Sequence, residues 1–195
     1  MARLIRDSEM IASSLTDPRA FGVIFERHFA AIHGYRRRRL DDQLAADLAA
    51  QTFLVAFDRR AGFDRSRPDC RPWLFGIATN LAHNHHRREL RELRAIAAVA
   101  PGWEPAIDGV EGRVDAERLR GRLARCLADL PAEEADVLLL LVWAELDQPE
   151  IAEALAIPLG TVKSRLSRAR GRMQTALGLA PGETLAALNS NSDRR

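Results

Sequence analysis

A chain of 195 residues with 47% hydrophobic content can build one large core or two small ones, which excludes an intrinsically disordered protein. Its formal net charge of +2 is too small to imply a nucleic-acid partner by itself, so the information lies in where the charges fall. Cys70 and Cys126, far apart and without a CxxC, exclude a disulfide framework. No apolar run approaches the ~20 residues of a membrane span, and the N-terminus MARLIRDSEM lacks the apolar centre of a secretion signal. The expected location is the reducing cytoplasm, with no membrane partner.

Three apolar-periodic blocks open the chain, at about residues 8–15, 18–38 and 40–60. In the second, Phe21, Ile24, Phe25, His28, Phe29 and Ile32 recur at helical spacing and predict a stripe that faces a core. The loop AGFDRSRPDCRP follows, and then a fourth helical block over residues 73–94. Residues 95–113, with two Pro and three Gly and no stripe long enough to pack, predict a linker. Four more helical blocks come after it, at 114–130, 132–143, 148–155 and 159–177, before a tail at 180–195 that ends NSNSDRR. The expected fold class is all-α, with two small helical domains at 1–94 and 114–179 joined by a flexible linker. The second of these holds a helix-turn-helix.

Its signature is DQPEIAEALAIPLGTVKSRLSRARGR, residues 147–172. Asp147 with Glu150 three positions on is a capping pair, and Pro149 suits a first turn whose amides have no partners within the helix. Ile151, Ala152 and Leu155 are expected in a core, and residues 156–158 leave room only for a tight turn. In the next helix Val162, Leu166, Ala169 and Met173 define a buried stripe, which leaves Lys163, Ser164, Ser167, Arg168 and Gly171 on the opposite arc. From Thr161 to Arg172 there are five basic residues and no acidic one, whereas residues 129–153 carry eight acidic residues and no Lys or Arg. Cationic side chains and Ser can read base edges in the major groove, and small residues let a helix approach closely. Arg165, Arg170 and Arg172 flank that arc and suit phosphate contacts.

The block PWLFGIATNLAHNHHRRELRELR mixes aromatic, amide and cationic groups: Trp73, Asn80, His83, Asn84, Arg87 and Arg88. The loop before it adds Phe63, Arg65, Arg67 and Arg71. Unpaired bases need a stacking surface and a cationic track, and this mixture suits a single-strand site. His83, His85 and His86 cannot converge with Cys70 from one helix face, so no metal site is expected. Neither a nucleotide-binding loop nor a catalytic constellation is present, so an enzyme and a cofactor are not expected either.

Three segments, DLAAQTFLVAF (47–57), PWLFGIATNLAHNHHRR (72–88) and LPAEEADVLLLL with IAEALAIPLGTVKSRLSRARGRM (130–173), resemble in the right order the bacterial RNA polymerase sigma factors of the extracytoplasmic-function group. The resemblance implies that the N-terminal domain binds core RNA polymerase and opens the promoter −10 element, while the C-terminal domain reads the −35 element. It carries core binding onto Asp47, Leu48, Gln51, Thr52 and Leu54. It carries −10 recognition onto Asn80, Arg87 and Arg88 with the loop over 63–71, and −35 recognition onto Lys163, Ser164, Ser167 and Arg168. Ala50, Gln51, Val55 and Gly76 depart from residues frequent in that family. An anti-sigma protein is a candidate partner that no residue singles out, and in the free protein the two domains could pack together and cover the DNA-binding surfaces. From the residues alone two rivals stay open: a free-standing helix-turn-helix regulator with an N-terminal sensing or dimerisation domain, and an adaptor that docks through its acidic stretch.

Overall fold

The computed structural model describes residues 5–37, 42–99, 125–127 and 129–178. The predicted linker beyond residue 99, most of the block predicted from residue 114, and the tail from residue 180 lie outside the described residues. Within them the order is α1 (Asp7–Ser13), α2 (Gly22–Arg37), α3 (Asp42–Arg59), α4 (Arg71–Val99), α5 (Ala132–Val142), α6 (Gln148–Leu155) and α7 (Leu159–Leu177), with 3-10 turns at Pro18–Phe21 and Arg60–Gly62. Among the described residues there is no strand, and no helix is long and apolar enough to cross a membrane. α4 continues past the end predicted at residue 94, since the sequence AIAAV still favours helix and the first breakers are Pro101 and Gly102. The chain divides into two compact units, Met1–Gly102 with Leu139–Leu159 and Trp103–Leu138 with Gly160–Arg195.

In the first unit α2 packs on α3 and α3 on α4. Ile24, Ile32 and Tyr35 of α2, Leu48, Phe53 and three alanines (45, 49, 56) of α3, and Leu74, Phe75, Ile77 and Ala78 of α4 are buried. Each large apolar side chain so buried contributes about 1.5–3 kcal/mol, and the alanines of α3 let its neighbours approach closely. Two polar ties cross this core: the Tyr35 hydroxyl lies 3.1 Å from Thr79 Oγ1, and the buried Arg36 guanidinium donates to the Ala78 carbonyl. Phe25, predicted for the core, is 41% exposed. The stripe of α2 was too wide for one packed face, and Phe25 instead lies at its edge, with ring centroids 5.0 Å from Phe53 and 4.8 Å from Phe29.

α4 starts where the Asp69 carboxylate accepts the Arg71 amide at 2.8 Å, with Pro72 in its first turn. α6 lies against α4 within the same unit. A Cβ on Gly76 would collide with the Ala154 carbonyl, so the two backbones touch at a position that has no side chain. This is why Ala154 is buried where Leu155 was expected to be. In the second unit Leu130, Ala135, Val137 and Leu138 are buried, as are Val162, Leu166, Ala169 and Met173 of α7, the stripe predicted from spacing.

Candidate nucleic-acid interface

The local chemistry of α6 fixes where α7 begins. Asp147 Oδ1 accepts the Glu150 amide at 2.8 Å and Glu150 Oε2 accepts the Asp147 amide at 2.7 Å, so the predicted capping box is formed. At the other end the Ile157 amide donates to the Ala152 carbonyl at 3.0 Å and the Ala156 amide to Glu153 at 3.1 Å, the Schellman pattern. Ala156 takes the left-handed conformation this requires, with φ of 52°, where glycine is the usual residue. Pro158 then precedes the first residue of α7.

With its apolar stripe turned inward, α7 leaves Lys163, Ser164, Ser167, Arg168, Gly171 and Arg172 exposed along one arc. The Ser164 hydroxyl donates to the Thr161 carbonyl at 3.0 Å, which leaves its oxygen able to accept. The flanking arginines are engaged more than their spacing predicted. Arg165 Nη2 donates to Glu133 Oε2 at 2.6 Å, and Glu134 pairs with both Arg168 Nε at 3.1 Å and Arg172 Nε at 3.0 Å. Arg168 and Arg172 are more than half exposed at 56% and 57%, whereas Glu134 is only 7% exposed. Arg165, at 18%, is largely covered, and Arg170 is half-buried, so these two are less available to phosphates than expected. The acidic stretch thus neutralises part of the basic helix within one unit.

On α4, Asn80, Asn84, Arg87 and Arg88 are exposed and His83 is half-buried. Arg87 Nη2 donates to Asn84 Oδ1 at 2.7 Å, which aligns amide and guanidinium along the helix. Phe63 is a correction: it is 6% exposed and packs on Trp73 at a centroid distance of 5.1 Å, so its ring is core and not an open stacking surface. Arg71 also turns inward, donating to the Ala144 carbonyl. The loop between them is held by its own polar contacts. Asp64 Oδ1 accepts from the Ser66 hydroxyl at 2.7 Å and the Ser66 amide at 3.0 Å, which lowers its pKa, and Arg67 pairs with Glu153.

The core-binding candidates on α3 divide by helix face. Asp47, Gln51 and Leu54 are exposed, Leu54 at 66%. Leu48 and Thr52 are corrected: both are buried, and the Thr52 hydroxyl donates to the Leu48 carbonyl at 2.7 Å, so neither can meet a partner. The sequence missed the apolar groove beside this face, lined by Pro18, Phe21, Phe25, Ala50, Leu54 and Phe57. The departure at Ala50 from a more polar residue was the signal that could have located it.

Comparison with known proteins agrees with this arrangement. The description "Sigma-70 region 2" matches residues 24–92 and "Sigma-70, region 4" matches residues 120–173. The chain is 33% identical over 142 residues to the ECF RNA polymerase sigma factor SigW of Bacillus subtilis, covering 68% of this chain and 75% of that one. It is 29% identical over 167 residues to the RNA polymerase sigma factor CnrH of Cupriavidus metallidurans, covering 82% and 87%. Its fold is similar to the solved structure of CnrH in complex with the cytosolic domain of CnrY, with a TM-score of 0.61 and 26% identity over 88% of this chain and 97% of that one. These findings set aside the free-standing regulator and the adaptor. The chain belongs to the sigma-70 family of RNA polymerase sigma factors, in its extracytoplasmic-function (ECF) group.

Proposed function

We propose that this chain binds core RNA polymerase and directs promoter-specific initiation from the cell interior, with α7 reading −35 duplex and the exposed side of α4 binding melted −10 DNA. The observation that carries the reading is the exposed arc of Lys163, Ser164, Ser167, Arg168 and Gly171, on the helix that follows a capped α6 and a tight turn. Its width and single sign of charge suit a major groove, where Lys and Arg donate to guanine and Ser serves either base type. Asn80, Asn84, Arg87 and Arg88 supply the amide and cationic groups for a single strand. Trp73, which stays partly exposed, is the aromatic group available to a base there, in place of Phe63.

The exposed Asp47, Gln51 and Leu54, with the groove at Phe25 and Ala50, form the surface for the polymerase. An apolar floor rimmed by an acid and an amide suits a partner helix better than nucleic acid does. The chemistry of chain synthesis belongs to the polymerase, and this subunit supplies specificity. A protein regulator that occupies the same surfaces is proposed from the likeness to CnrH, which was solved with the cytosolic domain of CnrY.

The test is in-vitro transcription with purified core polymerase and a genomic promoter pool, comparing the protein with Arg168→Ala and sequencing the new 5′ ends. Initiation at a shared two-element motif is expected, and the substitution should lose about 1–3 kcal/mol at one −35 base position. No new starts together with no core binding would refute the function. Unchanged base preference in the variant would refute the role of α7.

A further inference from the structure

In the first unit, three unlike donor groups meet at one carboxylate oxygen. Asp7 Oδ2 lies 2.8 Å from His28 Nε2 and 3.4 Å from Cys70 Sγ, and the Cys70 amide faces it at 3.5 Å. The three ligand atoms all lie within 4.8 Å of one another. Asp7 and Cys70 are buried and His28 nearly so, and they come from α1, α2 and the residue that leads into α4. Arg27 occupies only the other carboxylate oxygen, Oδ1, at 3.0 Å.

We propose that Asp7, His28 and Cys70 form a binding site for one divalent cation of the zinc class, which staples α1 to α2 and to the start of α4. Tetrahedral zinc with bonds of about 2.0–2.3 Å separates N, O and S ligands by about 3.3–3.6 Å. The oxygen-to-sulfur distance already satisfies this, and the oxygen-to-nitrogen distance needs to open by about 0.5 Å on the same geometry. In the metal-free protein the N–H of His28 and the S–H of Cys70 both point at Oδ2. On binding, Cys70 releases its proton to solvent and coordinates as thiolate. His28 coordinates through Nε2 as the neutral ring, its proton leaving or moving to Nδ1. No other bond changes, and no electron is transferred.

The donor set selects the metal. One thiol sulfur, one imidazole nitrogen and one carboxylate oxygen within 4.8 Å of one another suit a cation that bonds thiolate and imidazole strongly. Magnesium and calcium, which require many oxygens, find a single carboxylate oxygen here with a guanidinium beside it. One coordination position remains for water or a small anion.

The experiment titrates Co(II) into the full-length protein and into its Cys126→Ser variant, in which Cys70 is the sole thiol. The expected result for both is one equivalent of bound cobalt. Its visible bands should be those of a tetrahedral ion and its near-ultraviolet band that of thiolate-to-metal charge transfer, all abolished by excess zinc and weakened as pH falls. In the Cys126→Ser background, His28→Gln and Asp7→Asn should each lose these bands while keeping the helical circular dichroism. Absence of a charge-transfer band in Cys126→Ser would overturn the proposal, as would bands that persist unchanged in either ligand variant. The first of these outcomes needs no substitution within the site.

Discussion

Replacing Glu134 by Gln should strengthen the binding of this protein to promoter duplex. Glu134 holds the Nε groups of Arg168 and Arg172 at 3.1 and 3.0 Å, so turning either guanidinium fully onto a phosphate or base edge costs that pairing. Both arginines are more than half exposed, so each pair is screened by water and contributes about 0.2–1 kcal/mol. Releasing two such pairs gives about 0.4–2 kcal/mol, a roughly 2- to 30-fold tighter Kd. Glutamine keeps the size of the side chain, removes its charge and turns one of the two acceptor oxygens into an amide group that donates. The assay is fluorescence anisotropy with a labelled −35 duplex across a salt series. With Arg168 on a base edge, one additional cation reaching a phosphate, Arg172, would steepen the slope of log K against log salt by about 0.9. A weaker Kd, or an unchanged Kd with an unchanged slope, would mean that Glu134 aims the arginines at DNA instead of withholding them.

Other substitutions test the architecture. Ala156→Gly removes a left-handed conformation from an L side chain and should raise the unfolding free energy by about 1 kcal/mol in urea titration, with no loss of DNA binding. Asp147→Ala breaks the capping box and should lower stability by about 1 kcal/mol, seen as a lower urea midpoint with the m-value unchanged. Gly76→Ala places a methyl against the Ala154 carbonyl and should destabilise the protein by about 1–3 kcal/mol, whereas the same change at Gly34, which has open space, should fall within the range of an ordinary helical substitution. Burial alone would raise the pKa of Asp7, but hydrogen bonds and charge from His28, with hydrogen bonds from Arg27 and Cys70, outweigh it and hold the carboxyl well below its ordinary value. The folded pKa is thus depressed, so this stabilisation is complete above the unfolded carboxyl value of about 4 and is lost as pH falls below it. Acid unfolding followed by circular dichroism with a chelator present should show a flatter acid limb for Asp7→Asn than for the parent.

What could be read in the sequence was local. The capping box at Asp147, the start of α7 after Pro158 and the buried stripe of Val162, Leu166, Ala169 and Met173 all depend on residues a few positions apart, where helical period and cap chemistry decide. Spacing could not tell which residues of α3 face inward, because Leu48, Thr52 and Leu54 all fall in one continuous apolar helix, and only the packing of α2 and α4 settles their sides. Spacing leaves the burial of Phe63 undecided for the same reason, since its partner Trp73 lies across a loop. The pairing of Glu133 and Glu134 with arginines of α7 joins residues more than thirty positions apart. Cys70 was weighed against His83, His85 and His86, its neighbours in sequence, whereas its neighbours in space are Asp7 and His28.

The missing side chain at Gly76 has a consequence for any molecule that needs the strip of α4 around it. Region 2 and region 4 residues meet there backbone to backbone, so that strip of α4 is presented either to α6 or to an outside molecule, never to both. A molecule that requires the strip must bind the fraction of the population in which α6 has lifted away. Its observed affinity is then the intrinsic affinity multiplied by that fraction, and the close backbone contact at residue 76 contributes to how small the fraction is.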